Sequence, residues 1–182
     1  QTTLISPAGD GGFETGSTFA ANNWTAINSS IDGWVVGATP VVSSGTNCAY
    51  ISSDGGVTWN YSQTSVVQHI YYDVTIPANE SKLTLTFKWK AQGEGTLTND
   101  YDNMQVYFIP NSVTPLVNEP LSVLDRISGS GSINGMYKLN SGSYNAETIN
   151  FTGLPGSSYR LVFSWKSDFS IINNPPAAID DI

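Results

Sequence analysis

Lys82-Leu83-Thr84-Leu85-Thr86-Phe87-Lys88-Trp89-Lys90-Ala91 alternates without a break. Leu83, Leu85, Phe87 and Trp89 fall on one side, and Thr84, Thr86, Lys88 and Lys90 on the other. A period of two puts the first set on one face of a strand and the second on the opposite face. This is a half-buried strand with a polar outer side. Residues 159–166 repeat the pattern, with Tyr159, Leu161, Phe163 and Trp165 on the inner side. Helical periodicity is nearly absent elsewhere. Further strands are expected at 2–6, 34–37, 48–53, 69–76, 104–109, 135–139, 148–152 and 177–182, separated by Gly, Pro, Asn and Ser turns. Around ten short strands predict an all-β fold, a jelly-roll β-sandwich of two antiparallel sheets. No composition shift divides the chain, so residues 1–182 read as one domain, and 111–120 as a long surface loop.

The two alternating segments also echo each other. Leu85-Thr86-Phe87-Lys88-Trp89-Lys90 leads through a polar loop to Asp100-Tyr101-Asp102-Asn103, and Leu161-Val162-Phe163-Ser164-Trp165-Lys166 leads to Asp180-Asp181. The expectation is two equivalent hairpins in one sandwich.

Composition narrows the function. Charged residues make up 12% of the chain and the net charge is −8. Phosphate neutralisation needs clustered Lys and Arg, so nucleic acid is not an expected partner. No apolar run approaches the ~18 residues of a membrane-spanning helix. Cys48 is the single cysteine, which precludes an intrachain disulfide and suits a small buried thiol. Gln1 is compatible with a mature terminus left by signal cleavage. Asn23, Asn28, Asn60, Asn79 and Asn150 head Asn-X-Ser/Thr sequons, a weak signal in an Asn- and Ser-rich chain.

The chain ends in Pro175-Pro176-Ala177-Ala178-Ile179-Asp180-Asp181-Ile182. Adjacent strand residues point opposite ways, so one of the two aspartates leans inward. A carboxylate there must be hydrogen-bonded, paired or bound to a cation. Asp10-Gly11-Gly12-Phe13-Glu14 offers acids at the other end of the chain. Acidic motifs at both ends suggest a Ca²⁺ site that ties the ends together; the alternative is that these acids cap turns and face solvent. Asp100-Tyr101-Asp102-Asn103 reads as a turn-forming loop end or as host to a second cation.

Several segments together resemble a known group: Gly12-Phe13-Glu14-Thr15-Gly16, Cys48-Ala49-Tyr50-Ile51-Ser52 followed by Gly55-Gly56, Tyr72-Asp73-Val74-Thr75-Ile76-Pro77, the strand at 85–90, and the closing 175–182. In this order they resemble the cleaved-adhesin domains of secreted Bacteroidetes surface proteins, which are similar to MAM-type and galactose-binding-like jelly rolls. The resemblance implies a secreted, non-catalytic module within a larger protein. It also implies a Ca²⁺ site built from Glu14 and Asp180, with Asp181 as the alternative, completed by backbone carbonyls of the Asp10–Gly12 turn. Ca²⁺ takes six to eight oxygen ligands, which such a set can approach.

Catalytic signatures are sparse. His69 is the single histidine and has no zinc-ligand partners in sequence; no Gly-X-Ser-X-Gly elbow occurs. Asp180 and Asp181 point apart and cannot form a glycosidase pair across one cleft. Binding is therefore the leading expectation. Sugar C–H faces stack on aromatic rings while polar groups fix the hydroxyls. Trp59 and Tyr61, flanked by Asp54 and Asn60, together with Tyr101, are the candidate contacts. The other reading of this segment is a hairpin tip whose Trp folds back onto the sandwich. The expected function is a monomeric, calcium-stabilised adhesin or glycan-binding module that meets a carbohydrate or cell-surface ligand. A structural spacer and a β-sandwich hydrolase are the alternatives.

Overall fold

The computed structural model describes residues 2–182; Gln1 lies outside them. Ten strands form two five-stranded antiparallel sheets. In chain order they are β1 (Trp24–Ile27), β2 (Gly33–Gly37), β3 (Cys48–Ser52), β4 (Val66–Thr75), β5 (Lys82–Ala91), β6 (Asn103–Pro110), β7 (Arg126–Ile127), β8 (Asn140–Thr152), β9 (Ser158–Ser167) and β10 (Ala178–Asp180). The first sheet runs β1-β4-β9-β6-β7 and the second β2-β3-β10-β5-β8. The all-β jelly-roll sandwich expected from the alternation is thus the observed architecture. Among the described residues the helical elements are three short 3-10 turns, at Asp10–Gly12, Ala20–Asn22 and Val123–Asp125.

The period-two reading fixes which side chains meet. Leu85, Phe87 and Trp89 of β5 and Leu161, Phe163 and Trp165 of β9 lie in one core between the sheets. Phe87 and Phe163 touch edge to face across the gap, with ring centroids 5.2 Å apart. Cys48 is fully buried, and burial pushes its thiol up to about 12, which suits an inert core residue.

Three local expectations are corrected. Residues 2–6 form no strand, and 135–139 contribute only isolated bridges, Met104 to Tyr137 and Ile133 to Met136. The echoing segments are not hairpins. β5 and β6 lie in different sheets, and so do β9 and β10. Each connection crosses from one sheet to the other, β6 pairs with β9, and β10 pairs with β5. The two crossings therefore run side by side at one end of the sandwich, and the loops they carry, 92–102 and 168–177, meet there.

Candidate metal centre and loop surface

The loop from β5 to β6 begins with a tight turn at Gly93, whose φ of 56° is left-handed and whose missing side chain lets Asp102's carbonyl approach. Glu94 N–H donates to that carbonyl at 3.0 Å, closing the base of the loop. Lys138 is almost wholly buried and donates its Nζ to the carbonyls of Glu94 (3.2 Å) and Asn99. Asp102 then faces the neighbouring loop. Its Oδ1 accepts from Asp168 N–H at 2.9 Å, and its Oδ2 accepts from Tyr61 Oη–H at 2.5 Å. Ser170 Oγ reaches both Glu94 Oε2 (2.8 Å) and Asp168 Oδ1 (2.6 Å).

This arrangement gathers three acids that are far apart in sequence. One carboxylate oxygen from each of Glu94, Asp102 and Asp168 lies within 4.8 Å of the others. Glu94 is 5% exposed and Asp102 1%. Among the described residues the two ion pairs are Arg160–Asp73 and Lys166–Asp100, so none of the three acids is in an ion pair, although the charge of the nearby Lys138 is felt by Glu94 and Asp102. Burial pushes Asp102 up to about 6, and the nearby Asp168 and Glu94 charges add to the rise, against the hydrogen bonds from Tyr61 and Asp168. An all-oxygen donor set of this kind suits a hard cation such as Ca²⁺ or Mg²⁺, and the absence of thiolate and imidazole argues against zinc.

The residues nominated at the chain ends behave differently. Glu14, Asp180 and Asp181 all converge on the loop 43–47, as acceptors for its donors. Glu14 Oε1 accepts from the amides of Thr46 (2.8 Å) and Asn47 (2.9 Å), and Oε2 from Thr46 Oγ1. Asp180 is fully buried, and it takes the amides of Ser43 (2.8 Å), Ser44 (3.2 Å) and Asp181 (2.8 Å). Asp181 takes the Ser43 and Ser44 hydroxyls. Burial raises the Glu14 carboxyl, but its hydrogen bonds outweigh this and hold it below the ordinary value. Burial raises Asp180 to about 6 despite its amide donors. Asp10 is taken up elsewhere, by Asn23, Thr15 and Tyr72. Gly12 lies in the 3-10 turn, packed against the Pro7 carbonyl. The chain ends do meet, through Ile182 N–H to the Gly11 carbonyl at 3.1 Å.

The aromatic loop folds back. Asp54 closes the turn by accepting from Ser52 Oγ, Thr58 N–H and Thr58 Oγ1; the Thr58 hydroxyl leads in lowering it to about 2. Asn60 Oδ1 accepts from Ser53 and Thr58 hydroxyls. Trp59 is half-buried on the outer face of the second sheet, with Lys90 Nζ 5.1 Å from its ring centroid; Lys90 lies 4.4 Å from Tyr144 on its other side. Tyr61 is 4% exposed and packs edge to face on Trp165. These four residues therefore serve the turn and the core, and of the nominated contacts Tyr101 is the exposed ring, at 41%. Its neighbours on the same end are Leu97 in the 92–102 loop and Phe169, Ile171 and Ile172 in the 168–177 loop, all exposed. Sequence reasoning missed this surface because apolar residues without periodicity carry no signal of where loops meet.

His69 is buried on β4. Its Nδ1 lies 2.6 Å from Ser164 Oγ, and its Nε2 is 3.2 and 3.1 Å from the carbonyls of Leu116 and Glu119. Two carbonyl acceptors fix an Nε2–H tautomer, so Ser164 donates to Nδ1. The pair pins the 111–121 segment against the first sheet.

No protein-family model matches the sequence, and no curated protein does. Among solved structures the chain is similar to the K1 cleaved adhesin domain of Lys-gingipain from Porphyromonas gingivalis W83. The TM-score is 0.50 at 18% identity, over 98% of this chain and 95% of that one. At that identity the likeness is one of fold. A second similar structure is the enzymatically active domain of tailspike protein 4 from bacteriophage CBA120. Its TM-score is 0.47 at 14% identity, over 97% of this chain and 21% of that one.

Proposed function

We propose that the chain is a non-catalytic, adhesin-like module of an extracellular surface protein. Its loop end meets a carbohydrate or cell-surface ligand, and a Ca²⁺ ion at Glu94, Asp102 and Asp168 braces that end. One observation carries this reading. The loops 53–65, 92–102 and 168–177 are locked to one another through the buried Asp102 carboxylate, while Tyr101, Leu97 and Phe169 are left on the outside. Rigid loops that present apolar and aromatic side chains are the usual form of a binding surface. Buried acids serve the same purpose elsewhere in the chain. Asp32 holds Ser62, Asp180 holds Ser43 and Ser44, and Glu147 holds Gly131 and Thr148, in each case through backbone amides. The fold likeness to a cleaved adhesin domain supports the same reading, as does the sequence resemblance.

Ca²⁺ supplies neutralising charge to three acids that form no ion pair among the described residues. Asp102 stays positioned by Tyr61 and the Asp168 amide, and Glu94 and Asp168 turn toward it from the two crossing loops. The test is binding to a glycan array and to immobilised cell-surface glycoproteins, in Ca²⁺ and in chelator. Chelator-sensitive binding that Phe169→Ala or Tyr101→Ala reduces, with melting unchanged, is the expected result. A domain that binds nothing in either condition overturns the reading in favour of a spacer.

A further inference from the structure

Residues 111–121 cross the outer face of the first sheet as a strap with no strand or helix of its own. The strap carries Pro115 and Pro120, and Asn118 has a left-handed φ of 63°. From 111 to 120 only Pro115 is buried. A segment that buries so little apolar surface is held mainly by hydrogen bonds and opens at low cost. At its start Asn111 N–H donates to Ser158 O at 3.2 Å, and Arg160 Nη1 donates to Val113 O (2.7 Å) and Thr114 Oγ1 (3.2 Å). At its far end Leu121 packs on the apolar cluster of Tyr107, Ile109 and Val162. Between these two anchors the holds are Asn118 and His69. Asn118 N–H donates to Val67 O at 2.8 Å, and Val67 N–H returns a bond to Asn118 Oδ1 at 3.3 Å. His69 bonds the carbonyls of Leu116 and Glu119.

His69 is fully buried beneath the strap, and both its ring nitrogens are used in the neutral form. A second proton has no place on this ring. On Nδ1 it would meet the Ser164 hydroxyl, which donates there and has no other side-chain partner among the described residues. The neighbours supply no negative charge either. On β9 the register sets Ser164 opposite His69 and Lys166 opposite Val67, and Lys166 is paired with Asp100. On β1 it sets Ile27 opposite His69, and on β6 Gln105 lies beyond Ser164. Along the same face of β4 come Tyr71, under the Arg160 guanidinium, and Asp73, which is paired with Arg160. The strap's own acid, Glu119, is exposed and turns its carbonyl to the ring. Among the described residues His69 is in no ion pair. Burial therefore holds the imidazole below its ordinary value, against the two carbonyl bonds. Opening the strap returns the ring to water and to its ordinary range.

We propose that His69 is an acid-released latch: its protonation frees residues 115–120 from the first sheet while the two anchors and the sandwich stay in place. The closed strap and the proton compete for one imidazole. Below the ordinary imidazole value of ~6.5 the open fraction rises about tenfold per pH unit, for as long as the closed form stays unprotonated. Opening breaks the Asn118–Val67 pair and uncovers His69 and Ser164. The latch uses none of the acids assigned to the ion, so it stands apart from the function proposed above.

The experiment is amide hydrogen exchange of the full chain, followed by NMR from pH 7 to pH 5 and expressed as protection factors. The amides of Asn118 and Val67 report on the strap, and those of β9, a strand paired on both edges, report on the whole fold. Protection at Asn118 and Val67 should fall about tenfold or more between pH 7 and pH 5. Their exchange should be insensitive to dilute urea, because a local opening exposes little surface, whereas exchange on β9 should depend on urea. His69→Gln keeps an amide donor for the strap carbonyls and takes up no proton, so its strap protection should not change with pH. A fall of less than threefold in the parent overturns the latch. So does strap exchange with the urea dependence of β9, which would mean unfolding of the whole domain. So does a His69→Gln variant that keeps the parent's pH dependence. If that variant does not fold, the parent's profile still decides, because His69 is the single histidine of the chain.

Discussion

Two groups of three carboxylates lie in this molecule, and they are used in opposite ways. Glu14, Asp180 and Asp181 are met by amides and hydroxyls of a single loop, 43–47. Glu94, Asp102 and Asp168 face one another instead, and among the described residues no donor reaches Glu94 Oε1 or Asp168 Oδ2. The first group is satisfied by the protein itself. The second has no ion pair among the described residues, and the nearby Lys138 gives its hydrogen bonds to backbone carbonyls. The two groups therefore differ in what surrounds each acid. In the first group it is chiefly N–H and O–H donors, and in the second it is largely other carboxylates.

The comparison can be broken at its foundation. Tyr61 joins the second group to the core through Trp165, so Trp165→Ala should destabilise the fold by ~3–5 kcal/mol and loosen the cluster as well. A variant that unfolds in urea like the parent would show that the cluster does not depend on the core. Next comes the ion. Ca²⁺ at 100 times its dissociation constant should add ~2.7 kcal/mol to stability. Asp168→Asn should abolish that gain in a thermal melt, and Glu14→Gln should not. The reverse pattern would move the ion to the chain ends. In the first group, Asp180→Ala should cost ~1–3 kcal/mol whether or not Ca²⁺ is present, since it strips acceptors from buried amides. Dependence of that cost on Ca²⁺ would contradict the contrast drawn here.

The smallest expected effect is with pH. Asp102 and Asp180 titrate near 6 in the fold, above the ordinary carboxylate value. The native state then holds protons that the unfolded chain has released, so their stabilisation is complete below about pH 4 and is lost as pH rises through 6. Burial lowers His69, which acts the other way and loses stability as pH falls below the ordinary imidazole range. In chelator, the melting difference between the parent and Asp102→Asn should therefore turn against the parent between pH 5 and pH 7. A flat difference would show that Asp102 is not a proton acceptor in the fold.

Much of the fold was legible, and for a definite reason. β5 alternates from Lys82 to Trp89, where burial of one face enforces it, and β9 keeps Tyr159, Leu161, Phe163 and Trp165 on one side even though Val162 and Ser164 on the other are buried too. β1, Trp24-Thr25-Ala26-Ile27, is short and lies at a sheet edge, where little alternation is required, and β7 has only two residues. Residues 2–6 have strand-like composition but find no partner. For the site, Asp102 was visible in Asp100-Tyr101-Asp102-Asn103, whereas Glu94 and Asp168 were not. Their approach depends on two sheet crossings that run side by side, a property of topology and not of local sequence. The paired echo of the two strand-loop-acid segments was the available clue, and it pointed to crossings where hairpins were expected. Trp59 and Tyr61 resembled an exposed aromatic loop because sequence does not reveal that Asp54 and Asn60 spend their oxygens on the turn.

Terbium luminescence tests the central claim most directly. Tyr61 donates to Asp102 and Trp165 packs on Tyr61, so a lanthanide held at Glu94, Asp102 and Asp168 is excited through these rings. Saturable emission that Ca²⁺ displaces, that Asp168→Asn abolishes and that Asp180→Asn leaves intact is the predicted result. Emission that survives Asp168→Asn, or that never saturates, would contradict a cation-braced loop end.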